Sequence, residues 1–330
     1  MKQDIYIFNG GDLKRKDNTL LFQSDGKNKY IPVENINSIF VFGEITINKS
    51  LLDFLAEKEI LVNFYNYYGY YSGTYYPREH LNSGFVILKQ AEYYLDNEKR
   101  VNLARNIIMT AIENMIVVLK YYNSRNIDMI DDINALMEFK NKMLQSKSID
   151  ELMGVEGNAR ERYYSTFNKI INNKHFEFKI RSKRPPKDKI NALISFGNSI
   201  MYTVCLGEIY QTLLDPRIGY LHSTNSRRFS LNLDISEIFK PIIVDRTIFK
   251  LLNKNIITEK DFQKEFNGIM LNDEGRKKFL IELNDKLESV IKYDELDTSV
   301  SYRRLIRLEL YKIQKFITEG TEYKGFIARW

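Results

Sequence analysis

Cysteine is nearly absent: Cys205 stands alone in 330 residues, so no internal disulfide can form and no group of thiolates can hold a structural zinc ion. A reducing, cytoplasmic setting is therefore expected. Long hydrophobic runs are missing as well. No stretch approaches ~18 uncharged apolar residues, and the start, Met1-Lys-Gln-Asp-Ile5, lacks the apolar core of a signal peptide, so neither export nor membrane spanning is expected. Excess charge is scarce: the formal net charge is only +6, so a polyanion would have to be held by local clusters and not by overall basicity. Histidine occurs three times. His80 and His175 have no acid at a recognisable spacing and read as structural residues, which leaves His222.

What is present divides into two regions, and the length suffices for two domains. Residues 1–80 read as a β-rich domain. Short β-branched or aromatic runs (Asp4–Phe8, Thr19–Gln23, Lys29–Val33, Ser38–Gly43, Ile45–Ile47, Ile60–Tyr65) are punctuated by Gly10-Gly11, Asp25-Gly26 and Gly43. One helix is expected inside it, capped by Ser50 and running toward Lys58. The domain ends in a tyrosine cluster, Tyr65 to Tyr76, interrupted by Gly69 and Gly73 and spaced for a hairpin. Such rings stack on bases or pack at a domain or dimer interface, the commoner use.

Near Pro77–Gly84 the apolar period changes from two to about three and a half, so residues 81–330 are expected to form a larger, all-α domain, giving an α+β chain overall. Val101, Ala104, Ile108, Ala111, Ile112, Met115, Val118 and Leu119 mark a long amphipathic core helix. Ser148-Ile-Asp-Glu151 has capping-box form, so a helix should begin there with Leu152, Val155, Ala159, Tyr163 and Phe167 on one face. Glu156 falls beside that stripe, where an unpaired carboxylate is costly. Its partner is either Arg160, one turn on, or a metal ion. Arg181-Ser-Lys183-Arg184-Pro-Pro-Lys-Asp-Lys189 is a basic loop, a solvated linker or a phosphate-tracking surface. Asp188 then caps an apolar helix through Leu213.

That helix leads to Gly219-Tyr-Leu-His222, followed by Arg227-Arg228 and by Asp234 and Glu237, three residues apart. One imidazole with carboxylates and no thiolate suits Mn²⁺ or Mg²⁺ and points to a phosphate-ester substrate. The same residues also serve as a hydrogen-bonded structural set. Arg227 and Arg228 fit a phosphate clamp or a surface turn, and Arg160 and Arg162 are similarly open. Arg303 and Arg307, four apart on an amphipathic helix, are expected on an exposed basic face.

Met153-Gly-Val-Glu156-Gly-Asn-Ala-Arg160-Glu-Arg-Tyr-Tyr164, Asp215-Pro-Arg-Ile-Gly-Tyr-Leu-His222 and Leu231-Asn-Leu-Asp234-Ile-Ser-Glu237-Ile-Phe-Lys-Pro241, in this order, resemble the signature blocks of the first CRISPR-associated protein, the adaptation endonuclease and integrase. The resemblance covers essentially the whole chain. It implies that Glu156, His222 and Glu237 hold one Mn²⁺ or Mg²⁺ ion, with Glu237 longer than the aspartate that many relatives carry there. Asp234 becomes an auxiliary acid that orients a ligand or caps the helix. The implied reaction inserts short foreign DNA into a CRISPR array by attack of a 3′-hydroxyl on a phosphodiester. Implied partners are double-stranded DNA (spacer precursor and repeat), a second copy of the chain joined through the β-rich domain, and a small second CRISPR-associated protein bridging two dimers. Other readings are a DNA-repair or branched-DNA nuclease without integration, and a non-catalytic DNA-binding scaffold. DNA contacts are expected from Arg160, Arg162, Arg181, Lys183, Arg184, Arg227, Arg228, Arg303 and Arg307.

Overall fold

The computed structural model describes residues 2–78, 81–222, 229–265 and 268–329. The chain separates into two compact units, Met1–His80 and Leu81–Trp330.

The first unit contains β1 (Gln3–Ile7), β2 (Gly11–Lys16), β3 (Thr19–Ser24), β4 (Lys27–Pro32), β5 (Ile36–Val41), β6 (Ile45–Thr46), α1 (Lys49–Glu57), β7 (Leu61–Tyr65) and β8 (Tyr71–Tyr75). They build two four-stranded sheets, ordered β1-β5-β7-β8 and β4-β3-β2-β6. The strands β1, β5 and β7 run parallel, with Ile39 paired to Ile5 on one side and Val62 on the other. Leu13, Leu20, Ile36, Ile39, Leu51, Phe54 and Leu55 join both sheets and α1 in one core. β2 was not legible because Gly-Asp-Leu-Lys-Arg-Lys offers one apolar residue. That residue, Leu13, is fully buried, and the Arg15 guanidinium lies over the Phe54 ring at 4.4 Å. The cap of α1 is Asn48 instead of Ser50: Asn48 is extended and its side chain accepts the Leu51 N–H at 3.0 Å, whereas Ser50 is already helical. The tyrosine cluster forms the β7-β8 hairpin, with Gly69 at φ 78 in its turn. Tyr65 is buried, while Tyr67 and Tyr68 project from the tip.

The second unit is helical. It runs through α2 (Gly84–Leu95), α3 (Asn97–Asn123), α4 (Ile130–Gln145), α5 (Ile149–Ser165), α6 (Phe167–Ile170), α7 (Lys189–Tyr210), α8 (Leu231–Phe239) and α9 (Arg246–Asn253). Two small hairpins, β9 (Phe262–Glu265) with β10 (Gly268–Leu271) and β11 (Val290–Tyr293) with β12 (Thr298–Ser301), alternate with α10 (Asp273–Glu288) and α11 (Tyr302–Glu319). The expected caps of α5 and α7 are present: Ser148 accepts the Glu151 N–H and Asp188 the Asn191 N–H. Helices α3 and α7 are long and apolar enough to cross a membrane by length and composition, but 67% and 72% of their apolar windows are buried inside the protein. That is the environment of core helices.

Helix α8 packs between α3 and α7 with every residue from Leu231 to Phe239 buried. A helix enclosed all round must find internal partners for its polar groups. Asn114 on α3 fastens its end, donating to the Ile238 and Phe326 carbonyls at 2.9 and 3.0 Å and accepting the Ala328 N–H at 2.9 Å. Pro241, which has no N–H, then opens a π-helical turn, Pro241–Asp245, in which the Asp245 N–H reaches back to the Lys240 carbonyl.

Candidate active site

Asp234 lies in the first turn of α8 and is fully buried. It does not cap the helix. One oxygen accepts the Tyr220 and Leu221 N–H groups at 2.6 and 3.0 Å, and the other meets the His222 N–H at 3.0 Å and His222 Nδ1 at 2.7 Å. The carboxylate thus folds residues 220–222 around itself and fixes the imidazole, leaving Nε2 as the outward nitrogen. Gly219 is required by this close approach: a Cβ there would meet Asp234 Oδ2 at 2.9 Å and the Ser230 and Leu231 backbone at 2.7 and 2.9 Å.

The second cluster joins α5 to α8. Glu156 faces Arg160, whose Nε is 3.1 Å from its carboxylate, while Arg160 Nη2 binds Glu237. Lys240 Nζ contacts the other Glu237 oxygen, lies 3.0 Å from the Tyr202 hydroxyl, and sits over that ring at 4.7 Å. Burial pushes the Glu237 carboxyl up, but Lys240, Arg160 and His222 together pull it down to about 2. It is a carboxylate at any ordinary pH. Burial lowers the Lys240 ammonium, yet Glu237 and the Tyr202 hydroxyl leave it raised. Helix α8 carries both clusters, with Asp234 holding His222, and Glu237, three residues on, holding Arg160 and Lys240.

The family model of CRISPR associated protein Cas1 matches residues 5–285. The chain belongs to the Cas1 family of CRISPR-associated proteins. It is 56% identical to a CRISPR-associated endonuclease Cas1 of Thermodesulfovibrio yellowstonii over the whole of both chains. A solved Cas1 protein from Thermotoga maritima superposes with a TM-score of 0.89 at 46% identity, covering 99% of each chain. A casposase bound to its integration product has the same fold, with a TM-score of 0.86 at 22% identity, covering 100% of this chain and 96% of that one.

Cas1 proteins are metal-dependent, and the donor set here fits a divalent ion: an imidazole held by a buried carboxylate through Nδ1, and two glutamates that share one counter-ion. As they stand, the glutamates are closed on Arg160, and among the described residues no three His, Cys, Asp or Glu side chains converge on a point.

The basic residues of this Cas1-family chain divide sharply. Arg160 is buried within the site and serves its carboxylates, not a surface. Arg162 is exposed but held by the buried Asp132 at 2.8 Å. Arg181 bonds Asn191 and Ser195 of α7 at 2.8 and 3.0 Å, and the Pro186 carbonyl accepts from Ile269 of β10, so residues 181–186 are docked and not a free linker. Lys183 and Arg184 are exposed on that loop. Though the Lys183 side chain reaches solvent, partial burial of its ammonium and then the charges of Arg181 and Lys240 lower its pKa, while Glu156 and Glu237 oppose the shift. Arg303 and Arg307 overturn the expected exposed basic face. Both turn to the buried Glu208, at 3.9 and 2.7 Å, and Arg303 also binds Glu288. Arg227, Arg228 and His80 lie outside the described residues, and His175 pairs with Glu259 at 3.0 Å. The sequence reading missed Lys240, although its spacing of three from Glu237 signals it, and Glu208, whose partners lie about a hundred residues away in sequence.

Proposed function

We propose that this chain holds one Mn²⁺ or Mg²⁺ ion on Glu156, His222 and Glu237, and there joins the 3′-hydroxyl of a short DNA to a phosphodiester of a target duplex. As a Cas1-family protein it is a metal-dependent DNA endonuclease and integrase of CRISPR spacer acquisition. The observation that carries the residue assignment is geometric: Glu156 of α5 and Glu237 of α8 share the Arg160 guanidinium, and His222 is fastened to the same helix α8 through Asp234, three residues before Glu237.

A bound divalent ion would polarise the phosphoryl group and stabilise the departing 3′-oxygen. The protein's own groups do the rest. Asp234 fixes the ring and tautomer of His222 so that Nε2 carries the free lone pair. Lys240 keeps Glu237 ionised in a buried setting. Lys183 and Arg184, on the loop anchored through Arg181, offer positive charge to the DNA backbone, and such contacts position a duplex without reading its sequence. No protein nucleophile is needed, and water in place of the attacking hydroxyl gives nicking. The exposed Tyr67 and Tyr68 support pairing of two copies through the β-rich unit. Family membership supports a small second CRISPR-associated protein as the bridge between two such pairs, acting in the cytoplasm on double-stranded spacer precursor and repeat DNA.

Strand transfer of a labelled short duplex into a supercoiled plasmid carrying a repeat array, with Mn²⁺ or Mg²⁺ and the small partner, tests this. Joined product should disappear in His222→Ala while the fold and DNA binding persist. Undiminished joining by that variant would remove His222 from the ligand set.

A further inference from the structure

Beside the two glutamates lies a group of buried atoms that the reaction leaves unused. Arg160 Nη1, the Tyr163 hydroxyl and both carboxyl oxygens of Asp245 are buried with no hydrogen-bond partner. Arg160 and Tyr163 lie three apart on α5 and so share a face, while Asp245 closes the π-helical turn that follows α8. The Tyr163 hydroxyl comes close enough to pull the Asp245 carboxyl down without the geometry of a full hydrogen bond, and the charge of Asp245 acts on Arg160 as well. Buried donors and acceptors are seldom left unpaired, and four in one place suggest that another state of the molecule pairs them.

Charge counting says which state. Two carboxylates, Glu156 and Glu237, are balanced by two cations, Arg160 and Lys240. A divalent ion taking the glutamate oxygens must displace the guanidinium that now occupies them, and a displaced buried arginine needs another acceptor. We propose that Asp245 and Tyr163 form a second seat for Arg160, into which its guanidinium pivots when a divalent ion occupies Glu156 and Glu237. This rests on those glutamates being ligands. Tyr163 then accepts a hydrogen bond and Asp245 an ion pair, and all four idle atoms acquire partners. Burial holds the Asp245 carboxyl up at about 7 against the opposing pull of Arg160, Lys240 and Tyr163, so it can stay neutral while the guanidinium is elsewhere and ionise when it arrives. Arg160 and Asp245 are thus positioning residues that set how readily the site loads.

Isothermal titration of the full chain with MnCl₂ decides the matter. Asp245→Asn, which keeps the shape of the side chain but cannot ionise, should weaken Mn²⁺ binding about tenfold because the displaced arginine loses its seat. Arg160→Gln should tighten binding, and adding Asp245→Asn to it should change nothing further, since the seat then has no occupant. Wild-type affinity in Asp245→Asn, or the same weakening with and without Arg160, overturns the pivot. Should Arg160→Gln fail to fold, Arg160→Met takes its place in the same double-variant comparison. Glu237→Gln separates the two layers: wild-type affinity there defeats the ligand assignment itself, whereas lost binding there beside an unaffected Asp245→Asn defeats only the pivot.

Discussion

Asp234 and Asp245 are both fully buried, eleven residues apart at the two ends of one helical segment, and they live opposite lives. Asp234 collects three backbone N–H groups and an imidazole nitrogen, all within 3.0 Å. Asp245 has no side-chain contact with full hydrogen-bond geometry, and the two cations that act on it, Arg160 and Lys240, are engaged by Glu156 and Glu237. Burial is the same; the supply of donors is not. A buried carboxylate with a full set of donors fixes the chain around it, whereas one without them stores a proton and an unspent interaction. The first kind belongs to the part of a site that must not move, the second to a part that does.

The largest effect expected from this contrast comes from Asp234→Ala. It strands three N–H groups and the His222 ring at once, and loss of a buried charged partner costs about 3–5 kcal/mol. Urea unfolding should show a loss of that size, and strand transfer should vanish with it. A loss below about 1 kcal/mol would place Asp234 among ordinary helix residues and erase the distinction.

Asp245→Asn should do the reverse, in a way that depends on pH. The folded-state value of about 7 lies above the ordinary aspartate value of about 3.9, so the folded protein binds the proton more tightly than the unfolded chain. The stability gained by holding that proton is complete below about pH 4, declines as pH rises, and is gone above about pH 7. Asparagine mimics the protonated form throughout. Metal-free wild type and Asp245→Asn should therefore be equally stable near pH 4, and at pH 8 the variant should be more stable by on the order of a few kcal/mol. The comparison cancels other groups that titrate in the range, such as Lys286, which burial and then Arg246 lower to about 7. A wild type at pH 8 that matches or exceeds the variant would mean that Asp245 is ionised and paired in the metal-free protein.

The sequence reveals the two halves of this contrast unequally. The Glu156–Arg160 pair follows from a helical spacing of four, and the Ser148 and Asp188 caps from local side-chain chemistry. Asp234 and Glu237 stand out as acids in an apolar helix, and their neighbourhood to His222 is partly a matter of short separation. The further bond from Arg160 to Glu237 spans 77 residues and depends on how α5 meets α8, which no local pattern encodes. Asp245 was overlooked because it ends Pro-Ile-Ile-Val, a run that reads as plain core. Arg303 and Arg307 misled for the converse reason: they look like a solvated face until Glu208, on another helix, is brought beneath them. Periodicity identifies elements and the faces they bury; it does not identify which buried charges meet.

The smallest expected effect is also the finest probe of the unpaired half. Tyr163 is fully buried, its hydroxyl has no contact with full hydrogen-bond geometry in the metal-free protein, and burial first and then the Asp245 charge raise its pKa. Removing only that hydroxyl, in Tyr163→Phe, leaves the ring packed against Phe167 and Tyr164 and relieves the burial of an unsatisfied group. Metal-free stability should change by less than about 1 kcal/mol and can rise, since replacing an unpaired buried polar group by an apolar one of the same shape is nearly neutral or stabilising. In saturating Mn²⁺ the same change should cost about 1 kcal/mol, because the hydroxyl then pairs with the relocated guanidinium. Equal effects in both conditions, measured by urea unfolding, would leave Tyr163 as packing alone and confine the second seat to Asp245.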